Sequence, residues 1–492
     1  MMSMKGEGKP ISFIEDCAVL LEDLAEYTRR LTDIFEKNGT SGTWYAHASV
    51  GCLHVRPVLN LKQEVDVKKM RDIAEEAFAM VREYKGSHSG EHGDGLVRSE
   101  FHESMFGKRM VETFGKVKNL FDPRGTFNPG KIVNPSKMDD RSLFRFKPDY
   151  RTGRLDAALD WSAWGGFAGA VEMCNNNGAC RKRDSNVMCP SFRATEKEAH
   201  LTRGRANSLR LALSGQLGPE ALTANDMYES MRLCVSCKGC RRECPTGVDM
   251  AKMKVEFLHH YRSRHGVPMR ERLVANLPRY APWVSRIPGL ANARNRSSTL
   301  RSLGDRWLGL SAQRQLPQWA DPPFLAGQAH TGEIRHGELV LLVDTFNRYF
   351  DSEVVSDAVT VLTTAGYRVH FPSSEASPVR PLCCGRTYLS TGMMDKAKEE
   401  ARRTVAALNP FVEAGMPIVG LEPSCLFTLK DEFASMLEGA TVKHLADRAM
   451  MLEQFLSGEG AKGFSKLPLA SPAGQKVFVH GHCHQKSQDR MK

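Results

Sequence analysis

The sequence predicts a multidomain protein: an α+β domain (residues 1–140), an α-helical domain (171–265) and an α/β domain (336–492). Three observations support this prediction. The 492 residues are enough for about three domains of ordinary size. The first domain shows the order helix, strand pair, helix, and strand and helix patterns alternate in the last domain. We expect residues 141–170 and 266–335 to be linkers, the second one irregular because it is rich in Arg, Pro and Gly.

The first domain is predicted from helical spacing on both sides of a strand pair. Within residues 11–38, apolar residues between Val19 and Phe35 recur at helical spacing, and Gly39 ends this helix. Two apolar stretches within 43–59 indicate a pair of strands, and helical patterns follow over 65–84 and 103–120. Helices would then cover one face of an antiparallel sheet.

The two later domains differ in their predicted elements. Helices are expected on both sides of the clustered cysteines, at 202–213, 226–232 and 249–262. The last domain alternates predicted strands with predicted helices, which indicates an α/β fold. Its strands are expected at 338–343, 367–371, 417–421 and 476–480, and its helices at 352–366 and 394–413.

Composition predicts a cytoplasmic protein without a transmembrane segment. No apolar stretch approaches the roughly 20 residues of a membrane span, and the N-terminus lacks the apolar core of a signal peptide. Thirteen cysteines in a chain this long do not indicate a secreted disulfide scaffold. The net charge of +11 is spread out, so we do not expect nucleic-acid binding. Peripheral attachment to the inner membrane is left open.

The clearest chemical signal is the run CVSCKGCRRECP at residues 234–245. Its four cysteines, spaced two, two and three residues apart and followed by proline, are the bacterial ferredoxin-type pattern for a [4Fe–4S] cluster. These ligands are Cys234, Cys237, Cys240 and Cys244. A zinc site or disulfides are weaker alternatives, because zinc sites usually use two separated cysteine pairs.

Three further cysteines, Cys174, Cys180 and Cys189, precede this run. In two-cluster ferredoxins the cysteine before proline binds the other cluster, and Cys189 precedes proline too. Two connectivities follow. Either the four cysteines of the run hold one cluster by themselves, or Cys189 completes that cluster while Cys244 joins Cys174 and Cys180. Seven cysteines cannot hold two clusters with four thiolates each, so we favour a single cluster and keep a second one as the alternative. Without a second cluster, the three upstream cysteines are buried small residues.

The first domain carries a histidine pattern. If Val50 and Gly51 form a two-residue hairpin loop, His47 and His54 face each other directly across the strands, roughly 5 Å apart at Cβ, which a divalent metal could bridge. Downstream, residues 89–95 (SGEHGDG) place an acid beside a potential general base among glycines. The alternative is a polar surface loop with unrelated histidines.

These motifs, together with FNPGK at 127–131, resemble the C-terminal part of FAD-linked 2-hydroxy-acid oxidoreductases, the family of D-lactate, glycolate and D-2-hydroxyglutarate dehydrogenases. With the cysteine run, the chain is most similar to the large bacterial fusion proteins of the D-2-hydroxyglutarate dehydrogenase type, which carry FAD and iron–sulfur clusters. The resemblance implies metal ligands (zinc is one candidate) at His47, His54 and Glu91, a base at His92, and flavin contacts at Asn128 and Lys131. Arg56 is a candidate partner for a substrate carboxylate.

The resemblance implies oxidation of a D-2-hydroxy acid, D-2-hydroxyglutarate first, with electrons leaving through the cluster to a quinone or an electron-transfer flavoprotein. No nicotinamide-binding glycine motif follows a strand. The alternatives are a D-lactate or glycolate dehydrogenase-like enzyme and a stand-alone electron-transfer subunit. The family's FAD-binding half precedes the matching zone, so we expect a C-terminal fragment that is inactive alone.

The last domain contains PLCCG at 381–385, Cys425, and HGHCH at 480–484. It resembles the cysteine-rich domain of heterodisulfide-reductase and glycolate-oxidase iron–sulfur subunits. That resemblance implies a second Cys-Cys-Gly module beyond Lys492, so we expect a truncated domain. Whether Cys383, Cys384, Cys425 and Cys483 bind a metal stays open.

Overall fold

The computed structural model describes residues 3–184, 186–375, 380–465, 467, 474 and 476–489. The chain divides into two compact units. The first runs through Gly153 and includes Ala163–Gly165, and the second consists of Arg154–Ser162 and the residues from Gly166 onward. The described helices include none that is both long and apolar enough to cross a membrane.

The first unit is built on an antiparallel sheet whose central strand, β4 (Cys52–Leu59), pairs with all the others. Its partners are β1 (Lys9–Pro10), β2 (Cys17–Ala18) and β3 (Gly42–His47). Helices α1 (Leu24–Lys37) and α2 (Glu64–Glu83) bury their apolar residues in one core with β4. This is the α+β arrangement that the order of elements predicts.

Two predicted helices of this unit have different bounds. Helix α1 begins only at Leu24, although helical spacing was expected within 11–38, because Leu20 is extended (ψ 146°) and the Val19 N–H bonds to the Gly51 carbonyl. The helix predicted over 103–120 is two helices, because Gly107 has a φ of 84° that no α-helix allows. The helices after α2 are α3 (Gly95–Arg98), α4 (His102–Phe106) and α5 (Lys108–Phe121).

The second unit begins with the helices that surround the cysteines. They are α6 (Phe167–Glu172), α7 (Pro190–Thr195), α8 (Thr202–Leu213), α9 (Asn225–Arg232), α10 (Gly239–Glu243) and α11 (Met250–His265). Those predicted at 202–213, 226–232 and 249–262 are present with bounds that shift by at most three residues.

The prediction that residues 266–335 are irregular is wrong for the first half of that segment. Five helices occupy it: α12 (Met269–Ala275), α13 (Leu277–Val284), α14 (Pro288–Ala291), α15 (Ala293–Arg296) and α16 (Ser298–Leu308). Pro278 and Pro288 stand in the first turns of their helices. Proline fits there because the first N–H groups of a helix have no intrahelical partner, so these prolines mark helix starts.

The rest of the second unit is an α/β arrangement on a five-stranded sheet of order β5-β7-β6-β8-β9. Strands β6 (Gly337–Leu342), β7 (Tyr367–His370), β8 (Ile418–Gly420) and β9 (Ala449–Met451) are parallel, and β5 (His330–Thr331) is antiparallel. Its helices are Thr345–Tyr349, Ser352–Thr364, Arg386–Leu389, Met394–Glu413, Pro423–Phe427, Phe433–Met436, Ala440–Arg448, Leu452–Ser457, Ala461–Phe464 and Cys483–Gln488.

The strand predicted at 476–480 is wrong. These residues form no strand, and the side chains of Val477, Phe478 and Val479 are exposed. The fourth parallel strand is instead β9 (Ala449–Met451), which is too short to show an alternating pattern in the sequence.

Candidate functional site

The hairpin of β3 and β4 brings two histidines together, but not in the predicted register. His47 pairs with Cys52, and His54 pairs with Tyr45. Val50 does not suit a two-residue loop, which needs positive φ. The loop is instead a turn of 3₁₀ helix, Ala48–Val50, followed by Gly51 at φ 68°. A shift of two residues keeps both histidines on one face, so their rings lie diagonally with centroids 5.0 Å apart.

Three imidazoles converge on one carboxylate oxygen, Glu91 Oε1. His54 Nε2 lies 2.9 Å from it, His47 Nε2 3.3 Å and His92 Nε2 3.6 Å. Metal–nitrogen and metal–oxygen bonds of about 2.0–2.2 Å place neighbouring ligand atoms about 3 Å apart. His54 is buried, whereas the side chains of His47 and His92 are 59% and 45% exposed. His54, Glu91 and His92 therefore fit a divalent cation that remains open to solvent on one side, whereas His47 is not in the group of ligand atoms that are all close to one another.

The dipeptide Glu15-Asp16, which no sequence motif indicated, supports this group on its buried side. The Asp16 carboxylate accepts the backbone N–H groups of Glu91 (2.9 Å) and His92 (2.7 Å). Glu15 Oε1 lies 3.7 Å from His54 Nδ1, which is buried without a hydrogen-bond partner. Asp16 also lies with His54, Glu91 and His92 in a group whose ligand atoms are all within 4.8 Å of one another.

Both carboxyl groups are held in their ionised form. Burial opposes ionisation of Glu15, but hydrogen bonds from Arg56, Ser12 and Tyr45 outweigh it and lower its pKa to about 2. Burial likewise opposes ionisation of Asp16, and the two N–H groups it accepts keep its pKa below the ordinary value. No sequence pattern indicates this pair, because its partners lie about 40 and 75 residues away along the chain.

Arg56 is not a free cation. Its Nε and Nη2 bond to the two oxygens of Glu15 at 2.7 and 2.8 Å, and Nη2 also reaches the Tyr45 hydroxyl at 2.9 Å. A substrate carboxylate could reach this guanidinium only through Nη1. The predicted flavin contacts, Asn128 and Lys131, are exposed in a loop with φ of 46° at Asn128.

A second histidine group in this unit consists of His88, Asp94 and His102, with the Asp94 carboxylate at its centre. His102 Nε2 lies 2.8 Å and His88 Nε2 3.6 Å from the Asp94 carboxylate, and buried Arg98 Nε lies 3.3 Å from it. Burial lowers the pKa of His88 to about 4, so its ring is neutral at pH 7. The Arg98 charge already balances Asp94 and would repel a divalent cation.

In the second unit, Cys189, Cys234, Cys237 and Cys240 line one small cavity. Cys244 is not among its lining residues, so the geometry matches the second of the two connectivities that the sequence left open, and not the favoured one. Gly239 allows the segment before Cys189 to come close, because a Cβ there would lie 2.9 Å from the Met188 nitrogen.

The thiols are not gathered closely enough for a zinc ion. Among the residues the structure describes, no three cysteines have sulfurs that all lie within 4.8 Å of one another. A tetrahedral zinc ion would hold its sulfurs about 3.8 Å apart, given Zn–S bonds of about 2.3 Å. Burial raises the pKa of Cys237 to about 12, so thiolate formation would accompany metal binding.

The cysteines of the last domain line a separate cavity. Cys383, Cys384 and Cys425 are buried there beside Asp344 and Arg386. Cys483 begins a helix that packs on the ferredoxin-type run instead: Ser487 Oγ donates to the Cys237 carbonyl (2.8 Å), and His484 Nε2 lies 3.1 Å from the Ser236 carbonyl. The structure therefore does not bring all four of these cysteines to one place.

Comparison with known proteins matches these two regions to two domain families. Residues 1–132 match the model for FAD linked oxidases, C-terminal domain, and residues 170–248 match the 4Fe-4S dicluster domain. The chain combines an FAD-linked oxidase C-terminal domain with a 4Fe-4S dicluster domain. The predicted resemblance is thereby confirmed, and FAD and an iron–sulfur cluster are the cofactors these domains imply.

Relatives over most of the chain share one name. The chain is 27% identical to D-2-hydroxyglutarate dehydrogenase of Escherichia coli, over 97% of this chain and 50% of that protein. It is 28% identical to D-2-hydroxyglutarate dehydrogenase of Pseudomonas putida, over 99% of this chain and 50% of that protein. The chain is 31% identical to D-lactate dehydrogenase of Archaeoglobus fulgidus, over 27% of this chain and 29% of that protein. The chain spans about half the length of the first two relatives.

Proposed function

We propose that this chain forms the substrate-binding and electron-relay parts of an FAD-dependent D-2-hydroxy-acid dehydrogenase, with D-2-hydroxyglutarate as substrate. The observation that carries the proposal is the convergence of His47, His54 and His92 on Glu91 Oε1. A relay protein alone has no need of such a group. The names of the relatives supply the substrate.

His47, His54 and Glu91 are the proposed ligands of a divalent cation, for which zinc is the candidate. A bound cation would supply Lewis-acid chemistry by lowering the pKa of a coordinated hydroxyl. His92 is the proposed base: it is half-exposed beside Glu91, and its N–H to Asp16 fixes its backbone. It would accept the hydroxyl proton of the substrate. Arg56 would meet the carboxylate through Nη1.

FAD, when bound, would accept the hydride from C2 of the substrate. We propose that the FAD-binding part docks on the apolar surface of α4 and α5 in the first unit. Helix α5 has no buried residue, and its Leu120 and Phe121 are 76% and 80% exposed. Phe127, in the loop with Asn128 and Lys131, is 68% exposed. An unpartnered apolar surface of this kind marks an interaction site.

The cavity of Cys189, Cys234, Cys237 and Cys240 is the proposed seat of a [4Fe–4S] cluster, which carries single electrons. The four side chains come from two separate segments, so the cavity exists only in the folded unit. The electron acceptor, a quinone or an electron-transfer flavoprotein, stays a prediction.

The test is reduction of the flavin in the full enzyme that contains this chain. His92→Ala should slow flavin reduction by D-2-hydroxyglutarate about 10²–10⁴-fold, because a positioned base contributes that much. The cluster's electron paramagnetic resonance (EPR) signal should not change. The matched control is His330→Ala, an exposed histidine of the second unit. A normal rate in His92→Ala would overturn the assignment of the base, and faster reduction by D-lactate would overturn that of the substrate.

A further inference from the structure

The positive charge of the chain is concentrated in one segment, although lysine and arginine as a whole are spread along the sequence. Residues 269–316, which include helices α12 to α16, contain nine arginines, no lysine and two acidic residues. This segment therefore carries seven of the eleven net positive charges of the chain. Such a concentration of one sign attracts a partner of the opposite charge.

The last three helices of this segment have no apolar core. Helices α14, α15 and α16 contain no buried residue. On α16, Leu300, Leu303 and Trp307 are three and four residues apart and therefore share one face of the helix. All three are exposed, Trp307 by 75%. A helix of this length is normally stabilised by packing of its apolar face, so this face indicates a partner beyond the residues that the structure describes.

More apolar side chains are exposed at α13 and α14. Trp283, Ile287 and Leu290 are exposed, Trp283 by 64%. The Arg286 guanidinium lies over the Trp283 ring, 4.7 Å from its centroid, so the chain presents a charge and an aromatic ring together. Tryptophan is enriched where proteins meet the membrane–water interface, because its ring is amphipathic.

The exposed arginines near these apolar residues have no acidic partner. In the described part of the chain, no carboxylate forms an ion pair with Arg286, Arg296 or Arg306, and all three side chains are exposed. Asp305, the acidic residue of α16, accepts the backbone N–H of Ala312 at 3.1 Å. The stem of an arginine can lie along an apolar surface while its guanidinium contacts a polar layer. The arginines are therefore available to anionic groups beside the apolar face.

We propose that residues 283–307 form a docking surface for an anionic phospholipid bilayer. Helices that lie on membranes combine tryptophan and leucine on one side with arginine and lysine on the other. The arginines would contact lipid phosphates, and the apolar side chains would enter the interface. An acidic protein surface would match the charge but not the two exposed tryptophans. The proposal deepens the relay function and rests on it, because a quinone acceptor is dissolved in the bilayer.

The experiment measures co-sedimentation of the full enzyme that contains this chain with phospholipid vesicles. Vesicles of phosphatidylcholine with about 30% phosphatidylglycerol supply the anionic surface, and vesicles of phosphatidylcholine alone are the neutral comparison. Binding to the anionic vesicles should be at least about tenfold tighter and should weaken as the salt concentration rises. No binding to the anionic vesicles, or equal binding to both kinds, would overturn the docking surface.

A double variant tests the charges. Arg296→Gln with Arg306→Gln should lower the affinity for anionic vesicles at least about tenfold. The matched control, Arg402→Gln with Arg448→Gln, removes two exposed arginines from other helices and should bind like wild type. Equal affinities of the two double variants would overturn the assignment to this segment.

A single variant tests the apolar face. Leu303→Gln should lower the affinity about threefold or more, because the leucine no longer enters the interface. Its helix has no buried residue, so the circular dichroism spectrum should match that of wild type. Leu217→Gln, at a similarly exposed leucine outside the segment, is the control and should bind like wild type. Equal affinities of these two variants would overturn the role of the apolar face.

The docking surface and the relay fail in different ways. An enzyme whose cluster is reduced by the substrate but which does not bind anionic vesicles would overturn the docking surface and leave the relay intact. An enzyme that binds the vesicles but holds no cluster would overturn the relay and leave the lipid binding intact. Tighter binding to duplex DNA than to anionic vesicles would overturn the bilayer as the partner.

Discussion

The histidine group of the first unit and the cysteine cavity of the second differ most in exposure. The side chains of His47 and His92 are about half exposed, whereas Cys189 and Cys240 are buried and Cys234 and Cys237 are half-buried. Oxidation of a hydroxy acid needs access for the substrate and release of a proton. Electron transfer needs neither, and burial protects the cluster. The contrast in exposure therefore matches the two proposed tasks.

The two regions are also held in different ways. The histidine group depends on charged oxygens behind it, Glu15 and Asp16, which fix ligands on both a strand and a loop. The cysteine loop is covered by other segments. Lys238, between two of its cysteines, is buried and pairs with Glu432 at 2.7 Å and with Asp431. A few polar contacts hold the histidine group, whereas packing and ion pairs hold the cysteine loop.

The largest expected effect is the loss of a whole cluster. Cys237→Ala removes a thiol that lines the cavity of Cys189, Cys234 and Cys240. The reconstituted chain should therefore lose about four irons and the [4Fe–4S] signal of that site. Cys17→Ala, which removes a buried free thiol of the first unit, should leave the iron content unchanged. An unchanged signal in Cys237→Ala would contradict the assignment of a [4Fe–4S] cluster to this cavity.

Local patterns predicted much of the fold, because they report the contacts of nearby residues. The helices at Thr202–Leu213 and Met394–Glu413 have the predicted bounds. The linker prediction failed because prolines at helix starts resemble prolines in irregular segments. In the site, the histidines and Glu91 were found from their motifs. Glu15 and Asp16 were missed, since nothing in a sequence shows a contact 40 or 75 residues away.

A smaller effect concerns the hairpin that places His47 and His54. Gly51 has φ 68°, and a Cβ there would lie 1.9 Å from the Val19 carbonyl oxygen. Gly51→Ala should lower the free energy of unfolding of the first unit by about 2–4 kcal/mol, from backbone strain and overlap. Urea denaturation followed by circular dichroism would measure it. Gly93→Ala is the matched control, because a Cβ there meets no atom within 4 Å. Equal stability of the two variants would contradict the tight turn.

The smallest expected effect concerns the contact between Glu15 and the histidine group. A metal-binding histidine usually donates the N–H of its other ring nitrogen to a group such as a carboxylate. Loss of that hydrogen-bond partner lowers metal affinity about 10–100-fold. Glu15 Oε1 lies 3.7 Å from His54 Nδ1. Glu15→Gln keeps the size of the side chain and removes its charge, so zinc affinity at pH 7, measured by competition with a chelator, should fall 10–100-fold. Glu26→Gln, an exposed acid on α1, should match wild type.

The pH dependence distinguishes orientation of the ligand from general destabilisation. The folded pKa of Glu15 is about 2, below the ordinary 4.5. Its ionised form therefore stabilises the folded state fully above pH 4.5, and this contribution is lost as the pH falls towards 2. The difference in unfolding free energy between wild type and Glu15→Gln, measured without metal, should be constant above pH 4.5 and shrink below it. Zinc affinity within twofold of wild type at pH 7 would show that Glu15 supports the fold and does not orient His54.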